Sequence, residues 1–259
     1  MKIATYNILG LTGYPPEEAL REIGPLGSEE HIAHFARVFT ELDSDIIALQ
    51  EGVAVRQIQQ VAKKMGYHLA THPSPIAWPG HVLSRFPIVE SRTFSHMDPS
   101  ADVPPFSRTA GASLVEGKGG TCLWIVDVHL HPGDVALRKV EGSLLRERVE
   151  ALLAETPHAV VLGDFNSEVD ESVHEHLRAL GFVNAMQQVG GGVEATMDTV
   201  GIRTHYIDHL YFSPELATHL VAAHVVRSDR FRHDGPQVEG RWVHSDHLPV
   251  VAEIDWPIA

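Results

Sequence analysis

The segment of residues 159–166 limits most strictly what this chain can fold into, because an apolar run there ends in a glycine and two polar side chains set one residue apart. Such a run predicts a buried strand. Alternate side chains of a strand point the same way, so Asp164 and Asn166 are expected to face one spot. They suit a phosphate and its hard cation, and Gly163 would let that ligand approach the backbone. The alternative is a turn after a core strand, since Asp and Asn also favour turns.

Polar side chains also follow two predicted strands nearer the start of the chain. Residues 2–8 predict a first strand with Asn7 near its end. Residues 45–50 predict a buried strand, and Glu51 comes directly after it. A carboxylate in that place is a candidate metal ligand, and an all-oxygen site around it suits Mg²⁺ or Mn²⁺ rather than Zn²⁺.

The predicted strand at residues 121–130 is largely apolar, but Asp127 and His129 share one of its faces. A lone histidine there would more often be a hydrogen-bonded core residue than a functional one. The neighbouring carboxylate weakens that interpretation.

A further carboxylate, Asp208, lies within the strand predicted at residues 205–212. Its burial costs several kcal/mol by order of magnitude unless the group is paired. The expected partner comes from residues 243–249, which contain Asp246 and His247 and precede the final strand.

Helical spacing of apolar residues alternates with these strands and predicts an α/β protein. Residues 10–27, rich in proline and glycine, are expected to form a long loop. In one helix we expect Arg138 and Glu141 to lie on the solvent face. No linker-like segment divides the chain, so residues 1–259 are expected to form a single domain. The predicted helices cover residues 28–42, 54–65, 137–153 and 171–180.

Acidic residues outnumber lysine and arginine by 34 to 20, which gives a formal charge of −14. Such a molecule repels a polyanion as a whole, so duplex DNA is a poor expected partner. There is no signal-peptide pattern and no run of about 18 apolar residues, so we expect a cytoplasmic protein without a transmembrane segment. The single cysteine, Cys122, is expected to be a small buried residue.

Together these residues resemble the endonuclease/exonuclease/phosphatase superfamily, the metal-dependent phosphoesterases that include DNase I, abasic-site endonucleases, neutral sphingomyelinases and inositol polyphosphate 5-phosphatases. The resemblance covers the chain from end to end, in seven motifs that stand in family order. The motifs are Thr5-Tyr6-Asn7, Leu49-Gln50-Glu51, residues 83–88, residues 126–130, Gly163-Asp164-Phe165-Asn166, Ile207-Asp208 and Ser245-Asp246-His247-Leu248-Pro249.

The resemblance implies a four-layer α/β/β/α sandwich, in which two mixed β-sheets pack face to face with helices outside. It further implies that Asp164 orients or deprotonates the attacking water, while Asn166 and Asn7 bind a phosphoryl oxygen or metal-bound water. Glu51 and Asn7 are the expected ligands of Mg²⁺ or Mn²⁺, and Asp246 is a further ligand or its partner. One ion is expected, or two.

Two histidines and two arginines complete the predicted site. His247 is expected to contact the phosphate, with its ring oriented and its cationic form favoured by Asp208. His129 is expected to be a second phosphate contact or the acid for the leaving group. Arg108 is a substrate-binding candidate that is equally compatible with a structural role. Arg230 is a second such candidate.

Two residues depart from the family pattern. Leu9 stands where some members place an acid near the metals, and Asp127 stands where many have Asn before the histidine. The departures weaken the expectation of a tightly bound second metal.

The favoured hypothesis is a divalent-metal-dependent phosphodiesterase or phosphatase that acts on a small-molecule or lipid-like phosphoester. The alternative is a metal-dependent nuclease on DNA or RNA. A catalytically inactive binding module of the same fold is the third possibility, and the competent side chains at every candidate position argue against it. Leaving-group recognition is expected to fall to the loops at residues 73–80, 98–108 and 227–240. The last of these loops contains Arg227, Arg230 and Arg232 with Phe231 among them. This group is expected to clamp one anionic group or to stack on an aromatic leaving group.

Overall fold

The computed structural model describes residues 1–96, 102, 104–198, 204–228, 231 and 241–256. Within these residues the helices are α1 (Pro16–Ile23), α2 (Glu29–Glu41), α3 (Val55–Met65), α4 (Val135–Leu153), α5 (Ser172–Ala179), α6 (Ala185–Val189) and α7 (Pro214–Ala217). The strands are β1 (Lys2–Asn7), β2 (Ile46–Gln50), β3 (His68–His72), β4 (Gly80–Ser84), β5 (Ile88–Thr93), β6 (Ala110–Glu116), β7 (Cys122–His129), β8 (Ala159–Asp164), β9 (Val183–Asn184), β10 (Met197–Asp198), β11 (Thr204–His205), β12 (Asp208–Phe212), β13 (Leu220–Val225) and β14 (Val250–Ile254).

Most of these strands belong to two six-stranded sheets, and β10 and β11 form a separate antiparallel pair. The first sheet has the order β13-β14-β1-β2-β4-β3, and the second has the order β5-β6-β7-β8-β12-β9. Each sheet has one parallel pair, β1 with β2 and β7 with β8, and its other neighbours are antiparallel. Both sheets are therefore mixed.

Alternating side chains of β8 show how the layers are built. Val160 and Leu162 point into the large apolar core that the first sheet also lines, whereas Val161 packs into a second core with side chains of α4 and α5. On the other side of the molecule, Phe35 of α2 and Ile58 of α3 join the large core. Burial of each such side chain contributes about 1.5–3 kcal/mol. The expected four-layer sandwich of two face-to-face sheets with helices outside is confirmed.

The strand ends that carry polar residues meet at one end of this sandwich. Because β1 and β2 are parallel, Asn7 pairs with Gln50, and β7 and β8 in the same way place His129 beside Asp164. The antiparallel pairing of β12 with β8 sets Asp208 opposite Asp164. A hydrogen bond of 3.0 Å from Asn7 Nδ2 to Asp164 Oδ2 joins the two sheets there.

Three elements of the structure differ from the local predictions made from the sequence. The loop expected at residues 10–27 contains α1, which begins at Pro16 with Glu17 and Glu18 in its first turn, all three favourable at a helix start. The strand β5 was missed because none of its side chains is buried and its apolar residues do not alternate, whereas β13 was missed although five of its six residues are apolar.

Two predictions of burial were also wrong. Arg138 and Glu141 are buried in α4, although the amphipathic pattern placed them on the solvent face, because both are tied to loops at the end of the sandwich. Cys122 is partly exposed, since it is the first residue of β7. Among the described residues, no helix combines the length and the apolar character needed to cross a bilayer.

Candidate active site

Asp164 lies at the centre of the predicted site. Its Oδ2 accepts the hydrogen bond from Asn7 and lies 3.5 Å from His129 Nε2 and 3.8 Å from His247 Nε2. Its Oδ1 accepts a hydrogen bond of 2.9 Å from the backbone N–H of Asn166. The structure thus brings together predicted residues that are up to 240 positions apart in the sequence, from Asn7 to His247.

The backbone around Asp164 is shaped by its neighbours on both sides. A Cβ at Gly163 would lie 1.9 Å from the carbonyl oxygen of Val128, so the glycine allows β7 and β8 to approach each other. The expectation that Gly163 makes room for a ligand is therefore wrong. Asn166 has a left-handed φ of 48°, and its Nδ2 donates 2.9 Å to the carbonyl of Leu130. One side of this carboxamide is thus held by the backbone.

Two buried histidines that the sequence analysis did not single out fix the next residue, Ser167. His174 Nε2 lies 2.9 Å from the Ser167 hydroxyl, and His209 Nε2 lies 3.0 Å from its carbonyl oxygen. Burial lowers the pKa of His174 to about 2 and that of His209 to about 4. Both rings are therefore neutral at pH 7 and support the turn that carries Asn166.

His247 forms a buried pair with Asp208. Its Nδ1 lies 2.9 Å from Asp208 Oδ2, and both side chains are at most 5% exposed. Burial alone would lower the pKa of His247, but nearby carboxylates, Asp208 first among them, raise it to about 10. The ring is therefore a cation at pH 7, and its Nε2 faces Asp164.

His129 has the opposite character. The Nη1 of Arg108 lies 3.2 Å from His129 Nε2, and because arginine nitrogens only donate, Nε2 is the acceptor and carries no proton. Burial lowers the pKa of His129 to about 4 against the opposing charge of Asp164. The site therefore holds one charged and one neutral histidine, on either side of the same carboxylate.

Glu51 follows β2 at the edge of this group. Its backbone φ is 50°, a conformation that costs roughly 1–3 kcal/mol in a non-glycine residue and that clusters at functional sites. Its Oε1 lies 3.5 Å from Arg108 Nη1 and 3.9 Å from His129 Nε2. Burial raises the pKa of Glu51, and the charges of Asp164 and Asp246 act in the same direction.

Beneath the site, a polar chain crosses between the sheets. The Gln50 Oε1 accepts from the Thr5 hydroxyl at 3.2 Å, and Gln50 Nε2 donates 2.7 Å to Asp127 Oδ1. Asp127 is fully buried, and its Oδ2 has no hydrogen-bond partner in the described part of the chain. Burial raises the pKa of Asp127 to about 8. At pH 7 this aspartic acid is thus mostly protonated and uncharged, as the asparagine expected here from the family pattern would be.

The buried Glu141 of α4 connects two loops of the site, which the sequence pattern did not reveal. Its Oε1 accepts from the backbone N–H of Ser107 at 2.8 Å and from the Ser107 hydroxyl at 2.7 Å. Its Oε2 accepts from the backbone N–H of His131 at 3.0 Å. Glu141 therefore holds the residue before Arg108 against the segment that follows His129.

The predicted arginine group near the end of the chain is only partly described. Arg230 lies outside the described residues. Arg227 forms an ion pair of 3.1 Å with Glu194. Phe231 is 4% exposed and packs edge-on against Tyr6, so it does not offer a face for stacking.

A divalent cation fits the charges at this end of the sandwich. Formally, the carboxylates of Glu51, Asp164, Asp208 and Asp246 face the cations Arg108 and His247, which leaves two negative charges in excess among these described residues. Asp164, Asp208 and His247 offer ligand atoms within 4.8 Å of one another. Because His247 is protonated, we interpret that cluster as an ion-paired group and favour the oxygens around Glu51 for the cation.

The sequence of this chain matches a known protein family. The sequence model described as the endonuclease/exonuclease/phosphatase family matches residues 4–247. No curated protein matches the chain.

The solved structures that are similar to this one belong to proteins named for different activities. A 3' phosphatase, NExo, from Neisseria, bound to a product DNA hairpin, has 21% identity and a TM-score of 0.71 over 99% of this chain and 100% of the other. A mannosyl-6-phosphatase from Bacteroides thetaiotaomicron has 18% identity and a TM-score of 0.75 over 99% and 100%. An AP endonuclease from Archaeoglobus fulgidus has 17% identity and a TM-score of 0.68 over 99% and 100%. At these identities the similarity establishes the shared fold.

Proposed function

The chain belongs to the endonuclease/exonuclease/phosphatase family, whose members hydrolyse phosphoesters with divalent metals, and from that premise we propose that it hydrolyses a small-molecule or lipid-like phosphoester. The observation that carries the proposal is the arrangement around Asp164. A carboxylate with a histidine cation on one side and a neutral histidine beside a guanidinium on the other is suited to phosphoryl transfer.

The cation that this family uses is assigned to the oxygens of Glu51, Asn7 and Asp246. Carboxylate and amide oxygens are the ligands that Mg²⁺ and Mn²⁺ prefer, and the excess negative charge of the site supports a divalent ion. When bound, the ion supplies positive charge for the phosphoryl and leaving oxygens.

The side chains of this protein have separate tasks in the proposed reaction. Asp164 accepts a proton from the attacking water or orients it, since its carboxylate is fixed by Asn7 and by the Asn166 backbone. His247, held as a cation by Asp208, donates to a phosphoryl oxygen.

His129 and Arg108 form the other side of the phosphoryl site. Because His129 Nε2 accepts from Arg108, we assign His129 to positioning that guanidinium rather than to phosphate contact or to protonation of the leaving group. Arg108 then supplies the fixed positive charge on this side.

Charge supports the choice of a small substrate. A protein that grips a duplex neutralises several phosphates with Lys and Arg, whereas this chain carries −14. Two similar structures come from proteins named for action on DNA, so a nuclease is the second candidate function. The two candidate functions predict different activities, because a nuclease would nick plasmid DNA at about 0.15 M salt and leave small diesters intact.

The test is release of p-nitrophenol from bis(p-nitrophenyl) phosphate and from p-nitrophenyl phosphate. We expect turnover with Mg²⁺ or Mn²⁺, its loss after EDTA treatment, and a fall in kcat of roughly two to four orders of magnitude for Asp164→Asn. Asp170→Asn, an exposed carboxylate in the loop after β8, is the control and should be unchanged. Full activity after exhaustive metal removal would overturn the proposal.

A further inference from the structure

Trp78 stands out among the residues near the site that catalysis leaves unexplained. Its side chain is 42% exposed, in the loop between β3 and β4, whereas a tryptophan is usually well buried. Its backbone φ is 76°, which for a bulky residue is a genuine outlier. The loop thus displays a large aromatic ring in solvent and holds a strained backbone to do so.

The loop is anchored beside predicted site residues. The Pro79 carbonyl accepts a hydrogen bond of 2.8 Å from the backbone N–H of Gly52, which follows Glu51. The Trp78 carbonyl accepts 3.2 Å from the hydroxyl of Thr109, which follows Arg108. The position of the Trp78 backbone is therefore set by the chain next to two groups of the site.

Arg108 links the ring to the phosphoryl site. Its guanidinium carbon lies 5.7 Å from the centre of the Trp78 ring, within the range of a cation–π contact. The same guanidinium lies 3.2 Å from His129 and 3.5 Å from Glu51. A phosphoryl group held by Arg108 would thus lie on the same side of the site as the indole, whose ring centre is 5.7 Å from the guanidinium carbon.

Resting on the proposed function, we infer that Trp78 forms the leaving-group subsite and that the preferred leaving group is a planar aromatic ring joined directly to the phosphoryl oxygen. An indole stacks on a flat ring and offers less to a saturated one. The aromatic candidate from the sequence analysis, Phe231, is buried and does not compete for this role.

The experiment measures binding, so that it does not depend on turnover. Calorimetric titration in Mg²⁺, at a pH above the second pKa of both ligands, compares phenylphosphonate with cyclohexylphosphonate. At that pH they have the same charge and similar size but differ in planarity. The wild-type protein should bind the phenyl ligand more tightly. Trp78→Leu should weaken phenyl binding by roughly three- to tenfold and cyclohexyl binding by less than about twofold, and Trp78→Phe should restore most of the difference.

Two controls separate a subsite from a general change. Ile76→Ala removes exposed apolar surface from the same loop but no ring, so the ratio of the two affinities should stay at the wild-type value. Thermal unfolding of each variant verifies that the fold is retained.

Several results would overturn the inference. These are equal affinities of the wild-type protein for the two ligands, an equal loss of both in Trp78→Leu, or no binding of either. Failure of the proposed function is separate, since it would appear as absence of p-nitrophenol release while the binding preference persists.

Discussion

Replacing Asp127 by Asn is expected to stabilise the protein and to remove part of its pH dependence. The side chain is fully buried, and only Oδ1 has a described partner, Gln50. Asparagine retains an acceptor for Gln50 and nearly the same shape, but it has no proton to lose. The substitution therefore isolates the cost of keeping an ionisable group in the core.

The magnitude follows from the pKa of Asp127, which burial raises from 3.8 to about 8. Because the folded-state pKa lies above the unfolded one, the stabilising contribution of the protonated group is fully present below pH 3.8 and is lost as the pH rises to about 8. Each pH unit in this window costs about 1.4 kcal/mol. The substitution should therefore add roughly 5 kcal/mol more to the unfolding free energy at pH 8 than at pH 4.

The assay is urea unfolding of both proteins at pH 5, 6, 7 and 8. The difference in unfolding free energy between Asp127→Asn and the wild-type protein should increase by about 1.4 kcal/mol per pH unit and level off above pH 8. The contributions of other titrating groups cancel in this difference. The control Asp170→Asn, which changes an exposed carboxylate, should show no pH-dependent difference from the wild-type protein. A difference that is constant with pH, or a destabilised variant at pH 8, would refute the reasoning.

Four further predictions concern the site. Glu51→Gln should raise the Mg²⁺ concentration required for half-maximal activity by roughly tenfold or more, and a metal titration identical to that of the wild-type protein would contradict its assignment as a ligand. His247→Ala should lower kcat by roughly two to four orders of magnitude. Asp208→Asn should lower kcat less than His247→Ala does. It should also shift the alkaline loss of activity to lower pH, because the pKa of the His247 ring falls from about 10. A variant with an unchanged pH profile would disprove the pairing of His247 with Asp208. Glu141→Gln keeps the acceptor for Ser107 but turns a donor toward the His131 N–H, so it should raise KM. The double variant with Arg108→Ala should have a KM no higher than that of Arg108→Ala alone. Additive losses would show that Glu141 does not act through Arg108.

The fold and the family could be predicted from local pattern. Apolar runs of strand length with polar residues at one end identified β1, β2, β7, β8 and β12. A strand that is buried on both faces shows no alternation of apolar and polar residues, but its boundary is clear. The order of the motifs then gave the family, because seven weak signals in fixed order are jointly specific.

The charge states of the site residues and the partners of several side chains were decided only by the tertiary structure. Glu141 and Arg138 have the spacing of a solvent face, yet both are buried, because they bind Ser107 and Glu171, which lie 34 and 33 positions away in the sequence. Phe231 and Arg227 looked available for a substrate, and their partners, Tyr6 and Glu194, are remote in sequence.

The two histidines of the site show most clearly what the sequence determined and what the tertiary structure decided. The sequence by itself determined that His129 and His247 stand next to strand ends and belong to one group with Asp164. It did not determine that one ring is neutral and the other a cation, since both have the same intrinsic pKa. That difference arises from which groups the fold places against each ring, a guanidinium for His129 and the Asp208 carboxylate for His247, in an interior where a neighbouring charge is weakly screened.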